Sequence, residues 1–292
     1  MTPYLLAVLA VLLAGPVPAV MARWTWLRRT PFAAILLWQA VALAAVLAAV
    51  GAGLSTVTVW THGSPRQSLM VVVALCALAL TVMVVGRLLV SAHRVGVQLR
   101  VQRRIQRERL DLISTRSGSG RVPVVEHDVP VAYCLPSMAK PRVVLSAGAV
   151  ARLAPAELSA VFAHERAHLS ARHDLVLEAF TVLHRAFPRW VSSDAALREV
   201  KLLVEVLADR AALKVGTPRD LGRALLAMAE GRAPAGAMGA AHAAARGELV
   251  ERVRLLADLR PRPMQAFLLV GTAWMVVVLP TALVVAPWLM SL

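Results

Sequence analysis

Cysteine, acidic and aromatic side chains are all scarce in this chain, and each shortage excludes something. The two cysteines, Cys76 and Cys134, cannot build a disulfide framework, which agrees with a reducing compartment. Aspartate and glutamate total 17 against 32 lysines and arginines, a formal net charge of +15. Such a balance invites a nucleic-acid reading, but no basic–aromatic interleaving accompanies the charge, and direct nucleic-acid binding is not expected. Charge itself is missing from long stretches. Residues 4–22, 32–54, 69–92 and 265–290 are apolar runs about long enough to cross a hydrocarbon core as helices, interrupted only by Arg87 near the end of the third, where the side chain can snorkel. With 58% hydrophobic residues and a mean hydropathy of +0.65, the composition is that of a membrane protein rather than a soluble one.

The order of charge argues against a cleaved secretory signal. No basic residue precedes the first apolar run, whereas Arg23, Arg28 and Arg29 follow it, so a retained span is expected. Arginine placement also sets an orientation. Arg94, Arg100, Arg103, Arg104, Arg107 and Arg109 follow the third run, Arg260 and Arg262 precede the fourth, and the loop near 55–68 carries only Arg66. The basic clusters fall on one side, read as the cytosol, which leaves both termini outside. Trp24 and Trp26 suit the inner interface, Trp60 and Trp288 the outer one. Much of the basic excess is juxtamembrane, where it would attract anionic lipid.

What is present stands out against that background. His164-Glu165-Arg166-Ala167-His168 is an H-E-x-x-H run within an apolar helical stretch. On a helix, residues four apart stack on one face, so both imidazoles can ligate one zinc ion while the glutamate between them reaches a water molecule there. Pro155 and Glu157 are placed to open that helix, and Val161, His164, Glu165 and His168 share a face. A helix over about Asp174–Ala186 follows, ended by Pro188; Ser193 or Asp194 can cap the next, which extends to about Val215.

Organisation follows from these elements: three spans within 1–92, a soluble domain over 93–263, and a fourth span in 264–292. His93–Leu110 interleaves apolar residues with arginines, either as a helix continuing span three along the membrane surface or as a solvated stalk. Ser114–Gly120 has linker composition. Short β-like runs at Val122–Val125, Val131–Cys134 and Arg142–Leu145 are punctuated by Pro130, Pro136 and Pro141, which keeps some of them at sheet edges. Arg142–Leu145 is the expected edge for an added substrate strand. Gly231–Gly247 is Ala/Gly-rich and reads as mobile, and a last helix is expected over Glu248–Leu259. The fold class is mostly α: four transmembrane helices and a cytosolic α+β zincin-like domain with a small sheet.

A catalytic zinc needs a third protein ligand and an open position. Glu205 is the best third ligand, because an unpaired carboxylate on an apolar helix face is costly. Asp209, one turn on, can accept the free ring N–H of a ligating histidine. The bland alternative for both is a solvated face shared with Arg210. The chemistry implied is metal-assisted amide hydrolysis with Glu165 as general base. Arg210 and His173 are weak candidates for an oxyanion partner, His173 being better read as a surface or supporting histidine.

Together, AELSAVFAHERAHLSARHD (156–174), EVLADR (205–210) and PRVVLS (141–146), set among four spans, resemble the β-lactam sensor-transducer metallopeptidases of bacteria. More distant likeness extends to membrane quality-control and prenyl-protein zinc peptidases, which share H-E-x-x-H and E-x-x-x-D. The resemblance implies zinc on His164, His168 and Glu205, Glu165 as general base, Asp209 in support, and a cytosolic winged-helix repressor as the substrate. Self-cleavage also occurs in such proteins. The known sensors carry an extracellular penicillin-binding domain after span four; here the sequence stops at Leu292 with no outer S-x-x-K nucleophile, so direct β-lactam sensing is not expected. Two other functions stay open: a housekeeping protease for damaged membrane proteins, and a catalytically silent signalling or scaffold protein. The intact Glu165 argues against the last. The lipid bilayer is a partner by composition, and a second copy of the chain stays open as one.

Overall fold

The computed structural model describes residues 2–60, 67–114, 123–136, 141–187, 194–232 and 240–289. They form α1 (Thr2–Ala14), α2 (Pro16–Met21), a 3-10 turn (Thr25–Arg29), α3 (Pro31–Trp60), α4 (Gln67–Ser114), β1 (Val124–Val125), β2 (Ala132–Leu135), β3 (Arg142–Ser146), α5 (Ala147–Arg152), α6 (Pro155–Ser170), α7 (His173–Ala186), α8 (Asp194–Ala212), α9 (Pro218–Arg232), α10 (Ala240–Ala257) and α11 (Pro263–Leu289). Four helical segments, Thr2–Met21, Pro31–Thr56, Ala74–Leu110 and Pro263–Val285, are long and apolar enough to cross a membrane. Each of the four expected apolar runs falls in one of these helical segments or in the helix that contains it. The first is broken at Gly15, where Pro16 lacks the N–H that would continue the ladder.

Two compact units divide the chain. One comprises Met1–Val95, Ala179–Val200 and Arg262–Leu292. Within it α3 packs against both α1 and α11. Its buried face is made of small residues, with Ala34, Ala44 and Ala48 fully covered beside Trp38, the pattern that lets apolar helices approach when no water drives them together. Gly51 marks one such approach: a Cβ there would meet Val284 Cγ2 at 2.7 Å. Arg87 has a partner. Its Nε donates to the carbonyl of Ala186 at 2.7 Å, satisfying a group that the end of α7 leaves open. Arg28 is likewise bound, its Nε donating to Glu199 Oε2 at 3.0 Å.

The other unit comprises Gly96–Glu178 and Lys201–Pro261. Its sheet has the order β1-β3-β2, with β1 parallel and β2 antiparallel to β3. Arg142–Leu145, expected at an edge, is instead the central strand. Val143, Val144 and Leu145 are all buried, and such a continuous apolar run is satisfied only in the middle of a sheet. Among the described residues the edges are β1 and β2, and β2 is the strand flanked by Pro130 and Pro136.

After β3 the Ser146 hydroxyl caps α5, accepting from the Ala149 N–H at 3.0 Å. Pro155 begins α6, and the Glu157 carboxylate accepts from the Ala154 N–H at 3.0 Å, as the sequence suggested. One core joins Ala132, Leu145, Ala149, Leu153, Val161, Ala224 and Met228; a second joins Ala160, Ala212, Leu221 and Leu256. Both faces of α6 are thereby fixed.

The structure decides one open alternative and corrects one boundary. α4 runs unbroken through His93–Leu110 to Ser114, so that basic stretch is helical, whereas the linker expected at Ser114–Gly120 lies, beyond Ser114 itself, outside the described residues. α10 starts at Ala240 rather than near Glu248. Alanine is the strongest helix former, and it outweighs the glycine content that suggested a mobile segment. Pro188 and Ser193 also fall outside the described residues.

Candidate metal centre

α6 supplies two imidazoles and α8 supplies two carboxylates. His164 and His168 are one turn apart, and their Nε2 atoms face each other at 3.1 Å. Glu205 lies across from both, with Oε2 at 3.5 Å from His164 Nε2 and Oε1 at 3.5 Å from His168 Nε2. One ligand atom from each of the three residues falls within 4.8 Å of the others, a group able to hold a metal ion. Two imidazoles and a carboxylate converging on one point form a donor set suited to a borderline divalent cation.

The outer contacts sort the ring nitrogens. Asp209 Oδ1 lies 2.9 Å from His164 Nδ1, which leaves Nε2 turned to the cluster. His168 is treated the same way by another imidazole, since His173 Nδ1 lies 3.1 Å from His168 Nδ1 and the rings meet edge to face at 4.9 Å between centroids. His173 is only 4% exposed, so it is a buried neighbour of the site and not a surface residue. The turn between α6 and α7 brings it there. Arg172 adopts φ 51, a left-handed conformation uncommon outside glycine. Asp174 beside it is held by Arg103 at 3.2 Å.

Arg252 was not singled out from sequence. It comes from α10 and donates from Nε and Nη2 to the two oxygens of Asp209 at 2.8 and 2.7 Å, while Nη1 lies 2.9 Å from Glu205 Oε2. An arginine in a helix more than forty residues downstream has no spacing signal; only the packing of α10 reveals it. Arg210 follows Asp209 on α8 and is turned from it by roughly 100° around the helix axis. The cation facing both carboxylates is therefore Arg252. Glu165 is half-buried, and the Cys134 thiol of β2 hydrogen-bonds to its carboxylate.

Electrostatics follow from these contacts. Burial pulls the His164 imidazole down, but the neighbouring Asp209 and Glu205 carboxylates outweigh it and raise its pKa to about 9 without a metal. Burial, reinforced by the neighbouring His164 and His173, takes His168 down to about 4. Burial alone would raise Glu205, but His164 and then Arg252 bring it to about 2. Asp209 is also lowered, against burial, by Arg252 and His164. Burial and then the Glu165 carboxylate push Cys134 up to about 12, so that thiol is a neutral donor.

A family model for the BlaR1 peptidase M56 matches residues 6–256. The chain belongs to the M56 peptidase family. No curated protein and no solved structure matches it. M56 membership makes this a metallopeptidase-type chain, and a peptidase acts on protein substrates. The match takes in most of α1, all of α3 and α4, and the whole His-His-Glu cluster, and the four apolar helices suggest a membrane protein.

Proposed function

We propose that this M56 protein is an integral-membrane zinc endopeptidase that cuts a cytosolic regulator, with a winged-helix transcriptional repressor as the substrate class and signal transduction as the purpose. In this reading residues 1–92 and 264–292 anchor the chain, 93–263 forms a cytosolic zincin-like domain, and both termini lie outside. The observation that carries the proposal is the convergence of His164, His168 and Glu205, with Asp209 behind His164.

Zinc would be held by those three side chains. A divalent ion bound there supplies an acidified water molecule and polarises the scissile carbonyl. Asp209 and His173 keep the outer ring nitrogens of His164 and His168 occupied, so each imidazole presents Nε2 to the ion. Glu165, one residue past His164 on the same helix, takes the proton from the attacking water and returns it to the leaving amine. The Cys134 contact keeps that carboxylate beside β2, and β2 is an edge strand among the described residues. An extended substrate adding there would bring its backbone to Glu165.

A housekeeping protease would use the same residues, and substrate identity separates the two readings. The test compares Glu165→Gln with wild type in cells by mapping new protein N-termini. The variant is expected to retain zinc and to lose cleavage by about 10²-fold or more, the worth of a positioned base. A new N-terminus in a DNA-binding repressor supports the signalling reading, whereas products confined to membrane proteins favour the housekeeping one. Undiminished cleavage by Glu165→Gln excludes the proposed base.

A further inference from the structure

Glu205 and Asp209 project from the same face of α8, one turn apart. Asp209 is almost fully buried, its side chain 2% exposed, and Glu205 is covered on most sides. Two like charges so placed repel each other, and burial disfavours both. His164 of α6 favours both charges only while its imidazole is protonated, so a permanent cation from another element is needed to hold them ionised and pointed at the histidines.

Arg252 meets that requirement with three donors. Two form a parallel pair to Asp209, and the third reaches Glu205 Oε2 at 2.9 Å. The contact occupies one Glu205 oxygen and leaves Oε1 turned to His168 Nε2 at 3.5 Å. A planar guanidinium can serve two carboxylates at once in this way, whereas a lysine ammonium has neither the fork nor the reach for both. Arg252 is itself held by packing. Leu256, one turn on, sits in the core with Ala160 of α6 and Ala212 of α8, and Leu255 sits with Leu202 and Val206.

We propose that Arg252 is a positioning residue of the metal centre: it clamps Glu205 and Asp209 in register and neutralises one of the two, so that Glu205 faces the histidines as a single, oriented anion. The role rests on the metal reading above for its effect on affinity, but not for the clamp itself. It also makes α10, which leads directly into the apolar helix α11, a working part of the site and not only a connector.

The experiment uses the full-length protein in detergent, stripped of metal and titrated with Zn2+, with Co2+ absorption as a second probe of ligand geometry. Arg252→Met is expected to weaken Zn2+ binding by about 10–100-fold, the usual cost of losing an outer partner of a ligand, and to change the Co2+ spectrum. Arg252→Lys should recover only part of the loss. Leu153→Ala, in the other core and not on α10, is the control for a merely structural role: it should lower the thermal midpoint while leaving the Co2+ spectrum as in wild type. Wild-type affinity in Arg252→Met, or tighter binding, would overturn the proposal, since the arginine would then be a bystander or a repeller of the ion.

A metal-free arm judges the clamp alone. Thermal midpoints of Arg252→Met, Asp209→Asn and the double variant should be strongly non-additive, and additive shifts would overturn it. If wild type bound no Zn2+, the metal reading would fail while this arm still decided the clamp. If Arg252→Met did not fold, Arg252→Lys against Leu153→Ala would decide it.

Discussion

In α3, Ala34, Ala44 and Ala48 are buried with no charged group among them, whereas on α8 Asp209 is buried just as deeply and is met by an imidazole and a guanidinium. The first helix is held by close approach of small side chains to α1 and α11. The second is held by apolar packing and, on the face that carries Asp209, also by directional contacts that have to be satisfied together. A packed apolar face degrades by degrees when one residue changes, because dispersion is shared among many contacts. A buried charge network loses its arrangement when one partner is removed, because the remaining charge is left exposed to the full desolvation penalty. The chain thus combines a tolerant unit with an intolerant one.

The sharpest break in that comparison is expected from Glu205→Ala. Removing the third donor should lower Zn2+ affinity by about 100-fold or more, at least the cost of disturbing an outer partner, without altering helical content. Metal analysis and circular dichroism check both halves. Full zinc occupancy would place the third ligand elsewhere.

The next effect is one of pH. The His164 pKa is raised to about 9 in the metal-free protein, and a ligating imidazole must be deprotonated, so zinc competes with a proton there. Apparent Zn2+ affinity should rise by about tenfold per pH unit from neutrality and level off as the pH passes that pKa. The linked stability has the opposite sign. A raised histidine pKa contributes stability that is fully present below the unfolded value of about 6.5, and it is lost as pH climbs through the folded value. Metal-free protein should therefore melt lower at pH 9 than at pH 6, and isothermal titration with parallel melting curves reads both slopes.

The smallest effect belongs to the apolar unit. Gly51→Leu forces a side chain against Val284 and Leu6 and should cost about 1–3 kcal/mol, the range for overpacking. The variant should still bind Zn2+ with wild-type affinity. A large loss of affinity would mean that the two kinds of construction are not separable.

Much of this was legible in the residues. Apolar runs about as long as a bilayer core is thick have few alternatives to long helices, and the kink at Gly15–Pro16 refined the first of them. The spacing of His164, His168, Glu205 and Asp209 places each pair on one helix face by geometry alone. The order of the sheet was not legible, because Arg142–Leu145 reads equally well as edge or centre until its neighbours are known. The extent of α10 was obscured by glycines in an alanine-rich stretch. His173 could be suspected but not placed, since its position depends on the left-handed turn at Arg172.

By itself the sequence determined that the chain carries helices long and apolar enough to cross a membrane and a paired-histidine helix, because periodicity and hydropathy act locally and need no knowledge of what lies across the fold. Tertiary structure alone decided that Glu205 meets those histidines, that His173 backs one of them, and that Arg252 binds both carboxylates. Such contacts join residues far apart in the chain, and their free energy depends on burial and distance, neither of which is written in the order of the residues.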